Sequence, residues 1–210
     1  MLPYTEPAPY FGQWGEDRWL AEHLGVPRTG VFVDVGAGDG IRGSNSLYFE
    51  ERGWTGLCVD PEPRNEAGLA RRRCRVQTCA VASRPGLRTF SMFDVKPSWS
   101  GLGKRGAGYT TKNVHCRTLE DLVLEAEIER IDLLSIDVEG DEIDVWSSLD
   151  VNRHLPCIVI VEFDDKHPSR TTDRLRQCLG VERYELLHRT PANLIFRGRD
   201  ALSRRRWPDD

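Results

Sequence analysis

The stretch VFVDVGAGDG, residues 31–40, decides the fold class of this chain. Its first five residues are apolar except for one aspartate and end at a glycine, a pattern that predicts a short buried strand. The glycine-rich turn that follows is typical of the point where a strand of an open α/β sheet passes into a helix. Ligands bind at the carboxyl ends of such strands, so the same stretch predicts a ligand site.

Apolar strands alternate with helix-like stretches over most of the remaining chain. Further buried strands are predicted at 55–60, 131–137 and 157–163, and the stretches 74–82 and 86–93 are each expected to form a strand. This alternation predicts an α/β fold with a mostly parallel sheet and helices on both faces. The last two apolar runs, ERYELLHR and NLIFRG, are separated by only a few residues, which permits an antiparallel hairpin but no parallel crossover.

The domain organisation follows from this pattern. We expect one domain at residues 30–200, an extension with a helix at 1–29, and a flexible tail at 201–210. A helix is also expected at 44–52, capped by its first serine or asparagine. Residues 94–113 contain four glycines and little apolar content, which predicts a long loop. Its centre at 98–109 is expected to be either a lid that closes on substrate or a disordered loop.

Composition excludes several classes of protein. The chain has 210 residues, 39% of them hydrophobic, which is enough to bury a core and argues against disorder. The net charge of −4 gives no global basic field for nucleic acid or an anionic membrane. No apolar stretch approaches the ~18 residues of a membrane span, and we expect a cytoplasmic protein. The six cysteines contain no C-x-x-C pair, so buried reduced thiols are expected.

Two cofactor classes compete for the glycine turn. A dinucleotide fingerprint requires G-x-G-x-x-G, but counting from Gly36 the last position is Ile41. Asp34 would repel a pyrophosphate but would attract the ammonium and sulfonium groups of S-adenosylmethionine (SAM). Asp60, at the end of the second strand, would accept hydrogen bonds from a ribose diol, which NAD and SAM both carry. The alternative is a tight strand–helix turn that binds no ligand.

A second acidic group follows the later strands. The strand IDLLSID ends with Asp137, and Glu139 comes two residues later. The next strand, IVIVEF, ends near Glu162 and is followed by Asp164. Because the carboxyl ends of parallel strands meet at one edge, we expect these acids to lie beside the glycine turn.

Three roles are open for these acids. They could hold the methionine ammonium group of SAM, a role in which Asp137 is expected to take part. They could serve as the general base for a substrate hydroxyl, with Asp137, Glu139 and His167 as the catalytic candidates. Alternatively, Asp137, Glu162 and Asp164 could bind a divalent cation of the Mg²⁺ type, which would lower the pKa of the hydroxyl.

The chain resembles the FkbM family of SAM-dependent methyltransferases over residues 11–163. The motifs that carry the resemblance stand in the family's order: FGQWGEDRWL, FVDVGAGDGIRGSNSLYFEERGWTGLCVDPEP, TLEDLV, IDLLSIDVEGDEIDVW and IVIVEF. The resemblance implies a Rossmann-like class I methyltransferase fold with about seven strands. It also implies O-methylation of a sugar or a natural product.

The resemblance places Asp34, Gly36 and Gly38 in the SAM loop and Asp60 on the ribose. Gln13 and Glu16 match the family's opening motif and are expected either to fold over the methionine end of SAM or to belong to an acid-rich helix N-terminus. With Ala80 and Val81 expected against the adenine, the predicted SAM-binding set is Gln13, Glu16, Asp34, Gly36, Gly38, Asn45, Asp60, Pro61, Ala80, Val81 and Asp137.

The expected partner is a small molecule with a hydroxyl acceptor, and a homodimer is expected as the assembly. Three other activities remain open: N-methylation, a nicotinamide-linked dehydrogenase, which Asp34 and Ile41 disfavour, and a catalytically silent SAM-binding or nucleotide-binding module.

Overall fold

A seven-stranded sheet lies at the centre of the computed structural model, which describes residues 9–95, 99–103 and 105–199. In chain order the strands are β1 (Val31–Val35), β2 (Thr55–Val59), β3 (Arg75–Gln77), β4 (Ala80–Val81), β5 (Gly86–Phe93), β6 (Gly101–Leu102), β7 (Tyr109–Arg117), β8 (Leu133–Ile136), β9 (Ile158–Glu162), β10 (Tyr184–Arg189) and β11 (Asn193–Gly198). The helices are α1 (Glu16–His23), α2 (Leu47–Glu50), α3 (Glu66–Leu69), α4 (Leu119–Glu125), α5 (Glu142–Ser147) and α6 (Thr172–Leu179).

The order of strands in this sheet is β10-β11-β9-β8-β1-β2-β3. The strands from β9 to β3 are parallel, and β11 runs antiparallel between β9 and β10. The predicted Rossmann-like fold with its terminal hairpin is therefore confirmed. The chain moves outward in one direction from β1 to β3 and in the other from β8, so the crevice for a ligand opens between β1 and β8.

Helices cover both faces of the sheet, as predicted. Leu134 faces a core that includes side chains of α4, α5 and α6. Its neighbour Leu133 faces the opposite core, which includes side chains of α1, α2 and α3. The two leucines face opposite cores because side chains of a strand alternate between its two faces. Both are fully buried, since helices cover each face.

A second sheet, with the order β4-β7-β5-β6, corrects the prediction of a long loop at 94–113. Strand β7 pairs antiparallel with β5 from Tyr109 opposite Phe93 to Cys116 opposite Gly86. Only two of the nine residues of β7 are buried, so its polar composition is compatible with pairing to a neighbouring strand. The predicted strand at 74–82 is divided, with β3 in the main sheet and β4 in the second.

The predicted helix at 44–52 is shorter than expected. The Ser44 hydroxyl accepts hydrogen bonds from the backbone N–H groups of Ser46 and Leu47, at 3.3 and 3.1 Å. This turn occupies the residues before α2, which begins at Leu47. The short α3 is likewise preceded by a turn, the 3₁₀ helix Pro63–Asn65.

Glu16 joins the amino-terminal segment to the terminal hairpin. Its carboxylate is fully buried and accepts hydrogen bonds from Asn193 Nδ2 at 2.8 Å and the Thr190 hydroxyl at 3.2 Å. It also accepts one from the backbone N–H of Trp14 at 2.9 Å. The segment at 9–29 is therefore packed against the domain, while the predicted tail at 201–210 lies outside the described residues.

All six cysteines are free thiols. Within the described ranges, the helices are too short and too polar for any of them to cross a lipid bilayer.

Candidate functional site

A cavity of about 460 Å³ opens at the carboxyl ends of β1, β2, β8 and β9. Its floor is the glycine turn after β1, and one wall is formed by residues that follow β2. The opposite wall carries acids that follow β8 and β9. The two groups of residues that the sequence singled out therefore line one cavity.

The glycine turn requires glycine for two different reasons. Gly36 has φ +80°, and a Cβ atom there would lie 1.7 Å from the backbone oxygen of Asp137. Gly38 has φ +58°, but a Cβ atom there would meet no atom within 4 Å. The first glycine allows β1 and β8 to approach each other, and the second keeps the cavity floor open.

Asp60 is buried at the end of β2 and fixes the glycine turn. Its carboxylate accepts hydrogen bonds from the backbone N–H groups of Gly38 at 2.9 Å and Glu62 at 2.8 Å, and from Asn65 Nδ2 at 3.0 Å. Burial raises the pKa of Asp60 to about 6 despite these donors. A carboxylate offers about four acceptor positions, so three donors leave room for a ligand hydroxyl.

Four other residues of the predicted cofactor set also line the cavity. Pro61, Ala80 and Val81 give the wall beside Asp60 an apolar surface. Gln13 reaches the cavity from the amino-terminal segment, where Gly12 forms a bridge with Gly43.

The structure places Asp34 away from the cavity, which corrects its predicted contact with SAM. Asp34 is buried on the opposite face of β1, because side chains alternate along a strand. Its carboxylate accepts a hydrogen bond of 2.5 Å from the Ser46 hydroxyl, which in turn accepts one from Arg72 Nη2 at 3.0 Å. Desolvation raises the pKa of Asp34. Its contacts are those of a residue that holds α2 against the sheet.

Asn45 and Glu16 are also not among the cavity-lining residues, contrary to prediction. Asn45 is buried and donates a hydrogen bond to the Ser135 hydroxyl at 3.2 Å. Glu16 is bonded to the terminal hairpin, as described above. Both side chains are oriented by neighbouring elements rather than toward the cavity.

Asp137, Glu139 and Glu162 meet at the acidic wall, as the sequence predicts. One carboxylate oxygen of each lies within 4.8 Å of the others. Glu139 has φ +61°, an unusual backbone conformation for a residue with a side chain. Strain of this kind is characteristic of functional sites. Below, these three residues are called the acidic triad.

Arg170 contacts the triad, although no sequence motif predicts this contact. It lies in the loop between β9 and α6, and its side chain is 14% exposed. Its Nη1 atom forms an ion pair with Glu162 and lies 3.5 Å from Oε1 of Glu142. Nothing in the local sequence distinguishes Arg170 from the other arginines of this arginine-rich chain. Its position depends on how the loop after β9 folds back.

The crowding of carboxylates changes their protonation. Burial raises the pKa of Asp137, and the nearby charges of Glu139 and Glu142 raise it further. Burial and the charge of Asp137 likewise raise the pKa of Glu162, while Arg170 opposes this effect. Like charges this close cannot all be ionised at neutral pH, so the cluster retains a proton there. Such a cluster can accept and release a proton near physiological pH.

Two predicted residues lie outside the triad. His167 is exposed, and its Nδ1 atom lies 2.8 Å from the Ser169 hydroxyl rather than in the cavity wall. Asp164 accepts a hydrogen bond from the backbone N–H of Lys166 at 2.9 Å and does not belong to the group of converging carboxylates. The predicted catalytic role of His167 and metal-binding role of Asp164 are therefore corrected: the turn after β9 directs both side chains away.

The donor set fits a metal ion poorly. Three carboxylates converge, which alone is typical of a hard divalent cation. One of them, Glu162, is already paired with a guanidinium group, and a cation placed there would be repelled by Arg170.

The remaining wall belongs to the second sheet and to the region that was predicted as a lid. Trp99 and Tyr109 line the cavity, and both rings pack against Phe93, with ring centroids 5.5 and 4.8 Å away. Arg105 donates hydrogen bonds to the backbone oxygens of Trp99 at 3.1 Å and Glu139 at 2.5 Å. An aromatic surface therefore faces the acidic triad; residues 98 and 104 of the predicted lid lie outside the described residues.

Comparison with protein families identifies the family of this chain. A family model described as the methyltransferase FkbM domain matches residues 34–186, from β1 to β10. The matched range contains the glycine turn, Asp60, the acidic triad and Arg170. A search of curated proteins finds no significant match to the chain.

Proposed function

Because the chain belongs to the FkbM methyltransferase family, we propose that it transfers the methyl group of SAM to a hydroxyl group of a sugar or another natural-product small molecule. The observation that carries this proposal is the single cavity in which the glycine turn and Asp60 face the acidic triad. Groups suited to an adenosine cofactor and groups suited to a proton acceptor therefore lie in one enclosed space.

The residues at the β2 side of the cavity fit the adenosine part of SAM. The remaining acceptor capacity of Asp60 would take the ribose hydroxyls, and Pro61, Ala80 and Val81 would contact the adenine. Gly38 leaves space for close approach of the ligand to the backbone. When bound, SAM supplies an electrophilic methyl group on a positively charged sulfur.

The acidic triad fits the acceptor side of the reaction. An alkyl hydroxyl is a weak nucleophile at neutral pH and needs a base to remove its proton as it attacks. Asp137 and Glu139 line the cavity, and the raised pKa of Asp137 makes that carboxyl a stronger base when it is ionised. The aromatic surface of Trp99 and Tyr109 would hold the acceptor and keep water away from it.

Calorimetric titration with SAM and S-adenosylhomocysteine tests the cofactor, with NADH as the competing candidate. We expect both SAM compounds to bind and NADH not to bind. Asp60→Ala should abolish binding, whereas Asp173→Ala, an exposed acid in the first turn of α6, should leave it unchanged. Binding of NADH instead, or of none of the three, would refute the cofactor assignment.

Labelled SAM and a panel of hydroxylated and amino acceptors then test the reaction. Transfer of label to a hydroxyl compound, lost in Asp137→Asn, is expected. Transfer only to amines would favour N-methylation, and binding of SAM without transfer to any acceptor would favour a silent binding module.

A further inference from the structure

Arg170 lies against two carboxylates in the cavity wall. It lines the cavity, and its guanidinium group lies between Glu162, the last residue of β9, and Glu142, which begins α5. Glu142 is fully buried, and its other oxygen, Oε2, has no hydrogen-bond partner among the described residues. The guanidinium group is therefore the counter-charge that the buried Glu142 and the half-buried Glu162 share.

The loop that carries Arg170 is fixed by its own backbone. The N–H of Arg170 donates to the backbone oxygen of His167 at 3.1 Å, and the Arg170 oxygen accepts from the N–H of Asp164 at 2.9 Å. These bonds close the turn after β9 and direct the arginine side chain back over the end of the strand. The two residues that the sequence singled out in this loop thus act through their main chain.

A guanidinium group and a divalent cation exclude each other at this place. Both neutralise carboxylates, and a cation beside Arg170 would experience direct like-charge repulsion in a partly buried environment. A hard cation also prefers several oxygen ligands within about 2.0–2.6 Å, while Glu162 is already committed to Arg170.

We propose that Arg170 takes the place of a metal ion in this site, so that the acidic triad is organised by an internal guanidinium group and needs no divalent cation. In this role Arg170 is a positioning residue: it holds Glu162 and Glu142. The role in methyl transfer rests on the function proposed above, but the exclusion of metal does not.

Binding of Mn²⁺ to the 210-residue chain tests the proposal without SAM, by electron paramagnetic resonance and by the shift in melting temperature. We expect no Mn²⁺ binding to the wild-type triad. Arg170→Gln should gain a Mn²⁺ site that the wild type lacks, since the like charge has been removed. Arg170→Lys, which retains a cation, should behave as the wild type does.

Arg189→Gln is the matched control, because Arg189 also forms an ion pair in this part of the chain, with the exposed Asp165. It should not gain Mn²⁺ binding. In the wild-type protein, calorimetric binding of SAM should be the same with EDTA as with Mg²⁺.

Wild-type binding of Mn²⁺ that Glu162→Gln removes would overturn the proposal, and so would the failure of Arg170→Gln to gain a site. If Arg170→Gln does not fold, the wild-type and Arg170→Lys measurements still decide, since Mn²⁺ binding by either contradicts the proposal. Absence of SAM binding to the wild type would refute the proposed function alone and would leave the Mn²⁺ result standing.

Discussion

At the glycine turn, Gly36 and Gly38 both have positive φ angles, but a side chain would meet neighbouring backbone only at Gly36. In Gly36→Ala the new methyl group would overlap the backbone of β8, so we expect a loss of more than about 3 kcal/mol in the free energy of unfolding. In Gly38→Ala there is no overlap, and strain alone should cost about 1–2 kcal/mol. The methyl group would nevertheless point toward the cavity, and SAM affinity should fall by at least about tenfold.

Urea denaturation and calorimetry of the two glycine variants separate these effects. Equal losses of stability would show that the overlap at Gly36 is relieved by movement of β8. Unchanged SAM affinity in Gly38→Ala would show that the cofactor does not approach this turn.

The carboxyl group of Asp60 makes stability depend on pH. Its pKa is raised from 3.8 to about 6, so between these values the folded protein holds a proton that the unfolded chain has released. The free energy of unfolding therefore falls as pH rises through this window, by up to about 3 kcal/mol from this group. Asp60→Asn should remove that part of the slope, as measured by urea denaturation from pH 4 to pH 7. Asp173→Asn, which changes an exposed acid, is the control and should keep the wild-type slope. If Asp60→Asn also keeps the wild-type slope, Asp60 does not titrate in this range.

Single residues of the site were predicted where a strand end determines their position. Asp60, Asp137 and Glu162 each end a parallel strand, and the topology of the sheet brings such ends together. Asp34 was misplaced because it lies within β1, where alternation rather than spacing to a glycine decides which face it joins. Arg170 was missed because its approach depends on a loop that has no regular periodicity.

At the scale of elements, Glu16 joins α1 to the terminal hairpin, whereas its sequence motif implies a role in cofactor binding. A substitution of Glu16 distinguishes the structural role from the cofactor-binding role. Glu16→Ala leaves Asn193 Nδ2 without its buried acceptor, while the Thr190 hydroxyl keeps the backbone oxygen of Asn193 at 3.3 Å, and we expect stability to fall by about 1–3 kcal/mol. The carboxylate is not part of the cavity wall, so SAM affinity of the folded protein should stay unchanged. Thermal unfolding and calorimetry at a temperature where the variant is folded provide the test. Loss of affinity without loss of stability would restore the role in cofactor binding that the sequence motif implied.

Strands could be predicted from the sequence where their apolar residues are continuous. A strand was missed where its only distinguishing feature is its hydrogen bonding to a neighbouring strand. The buried strands β1, β8 and β9 are found near their predicted positions because each is apolar on both faces. Strand β7 buries only two of its nine residues, and its pairing with β5 is visible only in three dimensions. The short α2 likewise depends on the hydroxyl of Ser44, which satisfies the first free N–H groups before the helix begins.

For the whole molecule, the two faces of the main sheet should unfold together. Leu133 and Leu134 are adjacent, fully buried and packed in opposite cores. Replacement of either by alanine should lower the free energy of unfolding by about 2–5 kcal/mol. Both variants should still show a single transition by circular dichroism and by tryptophan fluorescence. Two separated transitions in either variant would show that the cores are independent.

The position of β11 between β9 and β10 has a consequence for biosynthesis. Asn193 pairs with Glu162 in the sheet and donates to Glu16, 177 residues earlier in the chain. The ribosome synthesises the chain from its amino terminus, so Glu16 and β9 leave the ribosome before Asn193 and the rest of β11 have been translated. The nascent chain therefore carries an unpaired apolar edge at β9 until β11 has been translated, and during this interval that edge is open to pairing with other chains.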